Sequence, residues 1–417
     1  MTADRPNGST SMNRLATGEW LERPLVTFVA GLVLAGTVAT LALLFATSSG
    51  TLDAFNRPLG TDFSSFWTAG RMALEGQAAA AYDWPAHHAM QQRTHGVDDY
   101  FPWSYPPVFL LVAAAAALLP YVPALIVWQS ASALAALAVF RQILPSRRAL
   151  LVAAAFPAVL ICLGHGQTGF LTAALMAGGI LLLPRHEIAA GVLFGLLAYK
   201  PQFGLLVPAV LLAGGYWRAI GAATATVVAT VALTLALWGW PVWQAFFESL
   251  PLTRKIVFEA GNTGFEKFQS IFAWVRLWGG PVALAYAAQA VVTVASIAAC
   301  VWIWRSTVSL RIKGAALLVG ALLSSPYVLD YDFILLGMAL ALMVAHALEH
   351  GFRPWEKSLL AVAWATPLVA RSLAQMLLLP FGFLVLAAVF AMIAARAHAE
   401  MRERAARGAM PGGVKPA

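Results

Sequence analysis

Charge is what this chain of 417 residues has least of. Asp, Glu, Lys and Arg make up 11% of it and hydrophobic residues 60%, where an average soluble domain carries about 25% charged residues. A soluble fold could not cover its surface with so few polar groups, so that class is excluded. Cysteine is nearly absent: Cys162 and Cys300 are the two, both within apolar runs and without redox or metal-ligand spacing, which leaves packing as their role. No His/Cys cluster has the pattern of a zinc site. The net charge of +8 would suggest nucleic acid for a soluble protein. In a membrane chain it is read first against the positive-inside rule, and nucleic acid drops out as a partner.

What is there instead is a series of apolar runs from Pro24 to Ala395, many of them about 20 residues long, enough for a hydrocarbon core about 30 Å thick. The first, Leu25 to Ala46, is too long for a signal-peptide core and no small-x-small cleavage site follows it, so it reads as a retained span. The expected spans are 25–46, 106–141, 149–163, 168–184, 187–200, 202–214, 219–239, 282–304, 313–324, 333–348, 358–370 and 373–396. That is an all-α, polytopic membrane protein with about twelve crossings. It has an N-terminal tail (1–24), a transmembrane domain (25–396) and a basic tail (397–417). With both tails in the cytoplasm, that face receives eighteen of the 27 basic and eight of the 19 acidic residues, leaving nine and eleven outside, the asymmetry that orients membrane proteins. The interruption from Leu119 to Pro123 must keep an odd number of crossings in 106–141, since a second crossing would put Arg147 and Arg148 outside. One broken helix, or a span with a partial one, satisfies this.

Two outward segments are long, 48–105 and 240–280. The first interleaves Asp53, Asp62, Asp83, Asp98 and Asp99 with many aromatic residues, a density that suits a membrane interface, with a short interfacial helix expected over Phe63 to Leu74. Ionisable residues at the rims of spans are costly in lipid and are functional candidates by default. Asp62, Lys200, Asp330 and Asp332 lie at outer span ends or in outer loops, with the polar break Gly164-His165-Gly166-Gln167-Thr168-Gly169 and the turn Lys200-Pro201-Gln202. Separate stretches of chain thus bring ionisable and amide groups to one depth, which points to a cavity open to the outer side. Plainer readings stand beside this one. Asp62, before Phe63-Ser64-Ser65, is where an N-cap would open a helix. Lys200 would complement a helix C-terminus or snorkel, one of Asp330 and Asp332 would cap the run from Phe333, His165 would be a satisfied helix-end histidine, and Gln167 would pair with free backbone groups.

The polar stretches also occur in a recognisable order. They are Thr61-Asp62-Phe63 followed by Gly76 to Asp83, then Phe101-Pro102-Trp103-Ser104-Tyr105-Pro106-Pro107, Gly164 to Gly169, Leu197-Ala198-Tyr199-Lys200-Pro201-Gln202, and Ser325-Pro326-Tyr327 with Asp330-Tyr331-Asp332. This set, over residues 25–350, resembles the membrane glycosyltransferases of family 87, which include polyprenyl-phosphate-mannose-dependent alpha-1,2-mannosyltransferases. The resemblance implies a GT-C fold with two large outer loops, a catalytic aspartate in the first and a lipid-linked sugar donor bound at the outer leaflet. Carried onto this chain, the aspartate is Asp62. His165, Gln167, Lys200 and Gln202 line the donor site, and Tyr105, Tyr327, Asp330 and Asp332 line the cavity. The expected location is the bacterial cytoplasmic membrane. The chain departs from the family at Tyr327, where histidine is the usual residue, and this leaves the acceptor and the sugar open.

A polyprenyl monophosphate sugar reacts by displacement at the anomeric carbon. The acceptor hydroxyl of a lipid or glycan loses its proton while phosphate leaves, and a carboxylate within reach serves as base. Asp62 takes that role in a single inverting step. Lys200 is the candidate cation for the leaving phosphate, ahead of Arg254 and Lys255, which would touch lipid head groups. Asp330 and Asp332 leave a divalent cation open. The rival from another class is a transporter or flippase of a lipid-linked or small polar substrate. Transporters commonly carry internal repeats with matching broken helices, and the two long outer segments have no counterpart in the other half of this chain.

Overall fold

The computed structural model describes residues 8–408, so the outermost parts of both expected tails, 1–7 and 409–417, lie outside the described residues. Among the described residues the elements are all helical, with isolated extended bridges at Ser49–Leu52, Leu52–Pro58 and Phe268–Leu329. Seven helices are long and apolar enough to cross a membrane: Arg23–Ala46, Tyr121–Ile143, Trp217–Trp238, Val282–Arg305, Asp330–His350, Glu356–Leu377 and Phe381–Ala406. An eighth forms if Arg147–Ala154 and Pro157–His165, bent by 51°, are one span. Pro157 causes that bend, since it has no amide hydrogen to donate and stands in the first turn of the second half.

The other expected crossings correspond to shorter helices: Gly169–Leu182, Glu187–Tyr199, Pro201–Gly214 and Leu310–Ser324. The interrupted run 106–141 becomes the short helix Pro107–Ala116 followed by Tyr121–Ile143, which alone is long and apolar enough to span. The expected pause between 370 and 373 is absent. Glu356–Leu377 runs straight through Arg371, and the break comes at Leu378, whose φ is 52°. Arg371 does not end the helix because Asp330 meets its charge at 2.7 Å.

A helix that is apolar all round lies either in a core or against lipid, and burial separates the two. In Asp330–His350, 83% of the apolar window is buried, against 11% in Arg23–Ala46 and 6% in Trp217–Trp238. The first packs with Leu310–Ser324 and Gly169–Leu182 at the centre, while the other two form the rim. Small residues bring backbones together where lipid offers no hydrophobic drive. A Cβ on Gly191 would lie 2.3 Å from the Ala219 carbonyl oxygen, and one on Gly195 would lie 2.6 Å from that of Ala223. Glu187–Tyr199 therefore lies flush on Trp217–Trp238.

The first outer segment corrects one expectation. Thr61–Leu74 is helical, but it does not lie with one face free: residues from Phe63 to Ala73 are mostly buried in protein. Its aromatic neighbours pack on one another, with Phe66 at 5.1 Å from Tyr105, 5.4 Å from Phe109 and 6.3 Å from Trp103. The rings form an internal cluster because edge-to-face contacts among them are available inside the fold. Gly70 permits the closest approach, since a Cβ there would stand 2.0 Å from the Ala113 carbonyl oxygen. The second long segment, 240–280, touches this layer at one end and the stretch before Asp330 at the other. Phe246 meets Tyr82 at 5.7 Å, the Gln269 amide donates to Val328 O, and Ser270 Oγ donates to Pro326 O.

Candidate active site

Two left-handed glycines build the centre of the site. Gly60 (φ 65°) opens the Thr61–Leu74 helix, and Gly166 (φ 67°) closes Pro157–His165. A Cβ on Gly166 would stand 2.5 Å from Phe63 Cβ and 3.4 Å from Gly60 Cα, so the two turns touch. Only glycine takes this backbone region without strain and leaves room for that contact. The result is that Asp62, just after one turn, faces Gln167, just after the other. Gln167 Nε2 donates to Asp62 Oδ2 at 2.8 Å. Its Oε1 accepts from the Thr168 amide at 3.0 Å and from the Tyr105 hydroxyl at 3.2 Å. Beside them Thr61 Oγ1 and His165 Nδ1 share a 2.8 Å hydrogen bond. Asp62 is not the helix cap, since Gly60 holds that position and Asp62 lies in the first turn.

A second layer holds two ion pairs on one turn, the first buried on both sides and the second only on its carboxylate side. Lys200 Nζ meets Asp332 Oδ1 at 2.9 Å, with the side chains 5% and 2% exposed. The other carboxylate oxygen, Asp332 Oδ2, accepts from the Leu329 amide. Two residues earlier, Asp330 Oδ2 meets Arg371 Nη2 at 2.7 Å. Asp330 Oδ1 and Arg371 Nε are buried without a partner. The Lys200 ammonium also stands over the rings of Phe203 and Tyr331, at 5.4 and 5.3 Å, an attraction that holds a desolvated cation in place.

Tyr105 and Tyr327 join the layers. Burial raises the hydroxyl pKa of both, and the negative charges of Asp62 and Asp332 raise it further. Both stay protonated and can donate hydrogen bonds. The Tyr327 ring is clasped between Phe258 and Phe268, at 4.8 and 4.9 Å. Next to it lies an apolar cavity of about 300 Å³ walled by Leu250, Thr253, Arg254, Phe258, Tyr286 and Pro326. No group of three or more His, Cys, Asp or Glu side chains among the described residues is arranged to hold a metal.

Asp62 is a half-exposed carboxylate that can accept a proton from a hydroxyl, and the second layer holds one buried cation, Lys200. In the comparison with known families, the model of glycosyltransferase family 87 matches residues 103–326. The chain belongs to glycosyltransferase family 87. The matched region of family 87 takes in Tyr105, His165, Gln167, Lys200 and Gln202 and stops before Tyr327, Asp330 and Asp332; Asp62 precedes it. No curated protein and no solved structure matches the chain. Membership makes this helical membrane protein a glycosyltransferase, acting on a sugar donor and an acceptor.

Of the residues singled out in the sequence, Asp62, Gln167 and Tyr105 form one hydrogen-bonded set, and Lys200 and Asp332 form another. Asp330 turns to Arg371, His165 to Thr61, and Tyr327 to the phenylalanine clasp. Gln202 is half-buried two residues past Lys200 and takes part in none of these bonds. Arg371 went unnoticed in the sequence. The available signal was a single charge in a long apolar run, which is costly in a membrane unless it is paired.

Proposed function

We propose that this family 87 enzyme transfers a hexosyl group, mannosyl as the first assignment, from a polyprenyl monophosphate to a hydroxyl of a lipid or glycan at the outer membrane face. The reaction is a single inverting displacement with Asp62 as general base. The observation that carries this reading is the half-exposed Asp62 carboxylate, fixed by a hydrogen bond from Gln167, with a buried lysine in the adjoining layer to which Tyr105 and Tyr327 connect it. Lys200 is the cation assigned to the leaving phosphate, where a fixed positive charge favours the transition state over the ground state. Asp332 holds it in position for that role.

The cavity beside Tyr327 suits the first isoprenyl units, because its walls are apolar and Arg254 stands at its edge. The wider architecture is read as a GT-C fold. The seven long helices, the bent pair and four shorter helices are enough in number for about twelve crossings, which is compatible with that reading. The excess of basic residues on the side of the tails supports cytoplasmic tails and a site on the outer side, and the resemblance to family 87 suggests the bacterial cytoplasmic membrane. Each of Asp330 and Asp332 faces a cationic side chain, so a divalent ion is not required to balance their charge.

The test is transfer of labelled mannose from synthetic polyprenyl-phosphate mannose to a membrane lipid extract by the purified protein. Labelled product from the wild type and none from Asp62→Asn, with membrane insertion unchanged, is the expected result. An active Asp62→Asn enzyme removes Asp62 as base. Binding of the lipid without transfer of any sugar by the wild type favours the transporter.

A further inference from the structure

We infer that Gln167 is a positioning residue for Asp62 and not a donor ligand: its amide fixes the carboxylate and leaves Oδ1 as the atom that takes the proton. The inference rests on the reading of Asp62 as the base. A backbone N–H can only donate, so the Thr168 amide at 3.0 Å identifies the accepting end of the Gln167 side chain as Oε1. Its NH2 end therefore faces Asp62 Oδ2, which must accept. Gln167 is 5% exposed, and its main chain is held as firmly as its amide. Its N–H donates to Cys162 O, its carbonyl accepts from Gln129 Nε2, and the preceding carbonyl accepts from Trp128 Nε1. Little of it is left to reach a donor. Asp62 Oδ1 accepts no side-chain or backbone hydrogen bond from a described residue and belongs to a half-exposed side chain. In the reaction, the acceptor O–H gives its proton to Oδ1 as the new C1–O bond forms. The old C1–O bond breaks with its electrons staying on the phosphate, and Asp62 ends as the neutral acid.

The test uses Gln167→Leu and Gln167→Glu in the full-length protein. The second keeps an acceptor for the Thr168 amide and the side-chain length, so it guards against a folding failure of the first. A hydrogen bond to a charged group stabilises that charged form by roughly one pH unit or more. The acidic limb of the pH–rate profile should therefore rise by about one unit in Gln167→Leu and further in Gln167→Glu. Turnover should fall about ten- to hundredfold with the KM for polyprenyl-phosphate mannose within about threefold. The infrared carboxylate band that is missing in Asp62→Asn should be displaced in both variants, a readout that needs no turnover. An unmoved band and limb with a raised KM would make Gln167 a donor ligand and overturn the inference. A displaced band in a protein whose wild type transfers no sugar supports the clamp on Asp62 and rejects the base role, so the two readings fail separately.

Discussion

The pair between Lys200 and Asp332 sets up a double-variant test in which structure and catalysis part company. At 2.9 Å and an effective dielectric of about 20, the Coulomb attraction is about 6 kcal/mol before desolvation is subtracted. Both side chains are almost wholly out of solvent, so desolvation cancels most of it. Removing one partner is a different matter, because the other charge stays buried without compensation, at a cost of about 3–5 kcal/mol. Lys200→Met and Asp332→Asn should each destabilise by that amount. The double variant should recover most of the loss, since an amide can still accept from the Leu329 amide and no bare charge is left. Stability would be followed in detergent through the intrinsic fluorescence of the tryptophans and by resistance to proteolysis. Transfer activity should be lost in Lys200→Met and stay lost in the double variant, since the phosphate has lost its cation, and should fall in Asp332→Asn, where the cation is no longer held in position. A double variant as unstable as the singles would refute the ion-pair argument. A stable and active double variant would refute the catalytic role of Lys200.

Two further perturbations address the first long segment, 48–105. Burial lowers the pKa of His87 and His95 to about 4, while the unfolded chain protonates near 6.5. The unfolded state therefore binds more protons between these values, so thermal stability should fall as pH drops from about 6.5 to 4 and be insensitive to these groups above that window. His87→Gln should shrink the slope, and a slope unchanged in both His87→Gln and His95→Gln would rule these histidines out as its source. Gly70→Ala puts a methyl group 2.0 Å from a backbone oxygen. It should cost about 1–3 kcal/mol or more by overpacking and lower transfer at least tenfold as Asp62 is carried away, with circular dichroism unchanged; full activity would mean that this contact does not position the site.

What the sequence made legible was what depends on local composition. Apolar length located the runs that became helices, and the helix after Asp62 was expected within two residues of where it starts. What stayed hidden depended on partners far along the chain. Lys200 looked like a residue at a helix end, since nothing near it announces Asp332, 132 residues later. Arg371 drew no attention for the same reason, its counter-charge being Asp330, 41 residues earlier. The aromatic residues of the first outer segment suggested an interface, because composition does not distinguish rings that meet lipid head groups from rings that meet each other. Asp62 suggested a cap because an aspartate before a serine pair usually is one. The glycine two residues earlier, with its left-handed backbone, took that position instead.

The seam between Glu187–Tyr199 and Trp217–Trp238 bears on how the protein is made. A helix of 13 residues is about 20 Å long, some 10 Å short of a hydrocarbon core. Emerging from the ribosome, Glu187–Tyr199 is a poor guest for the bilayer by itself. Its glycine face finds shelter once Trp217–Trp238, long enough to span alone, has been synthesised and inserted. The contact ties the placement of Lys200, at the end of the short segment, to a helix that begins 17 residues later in the chain.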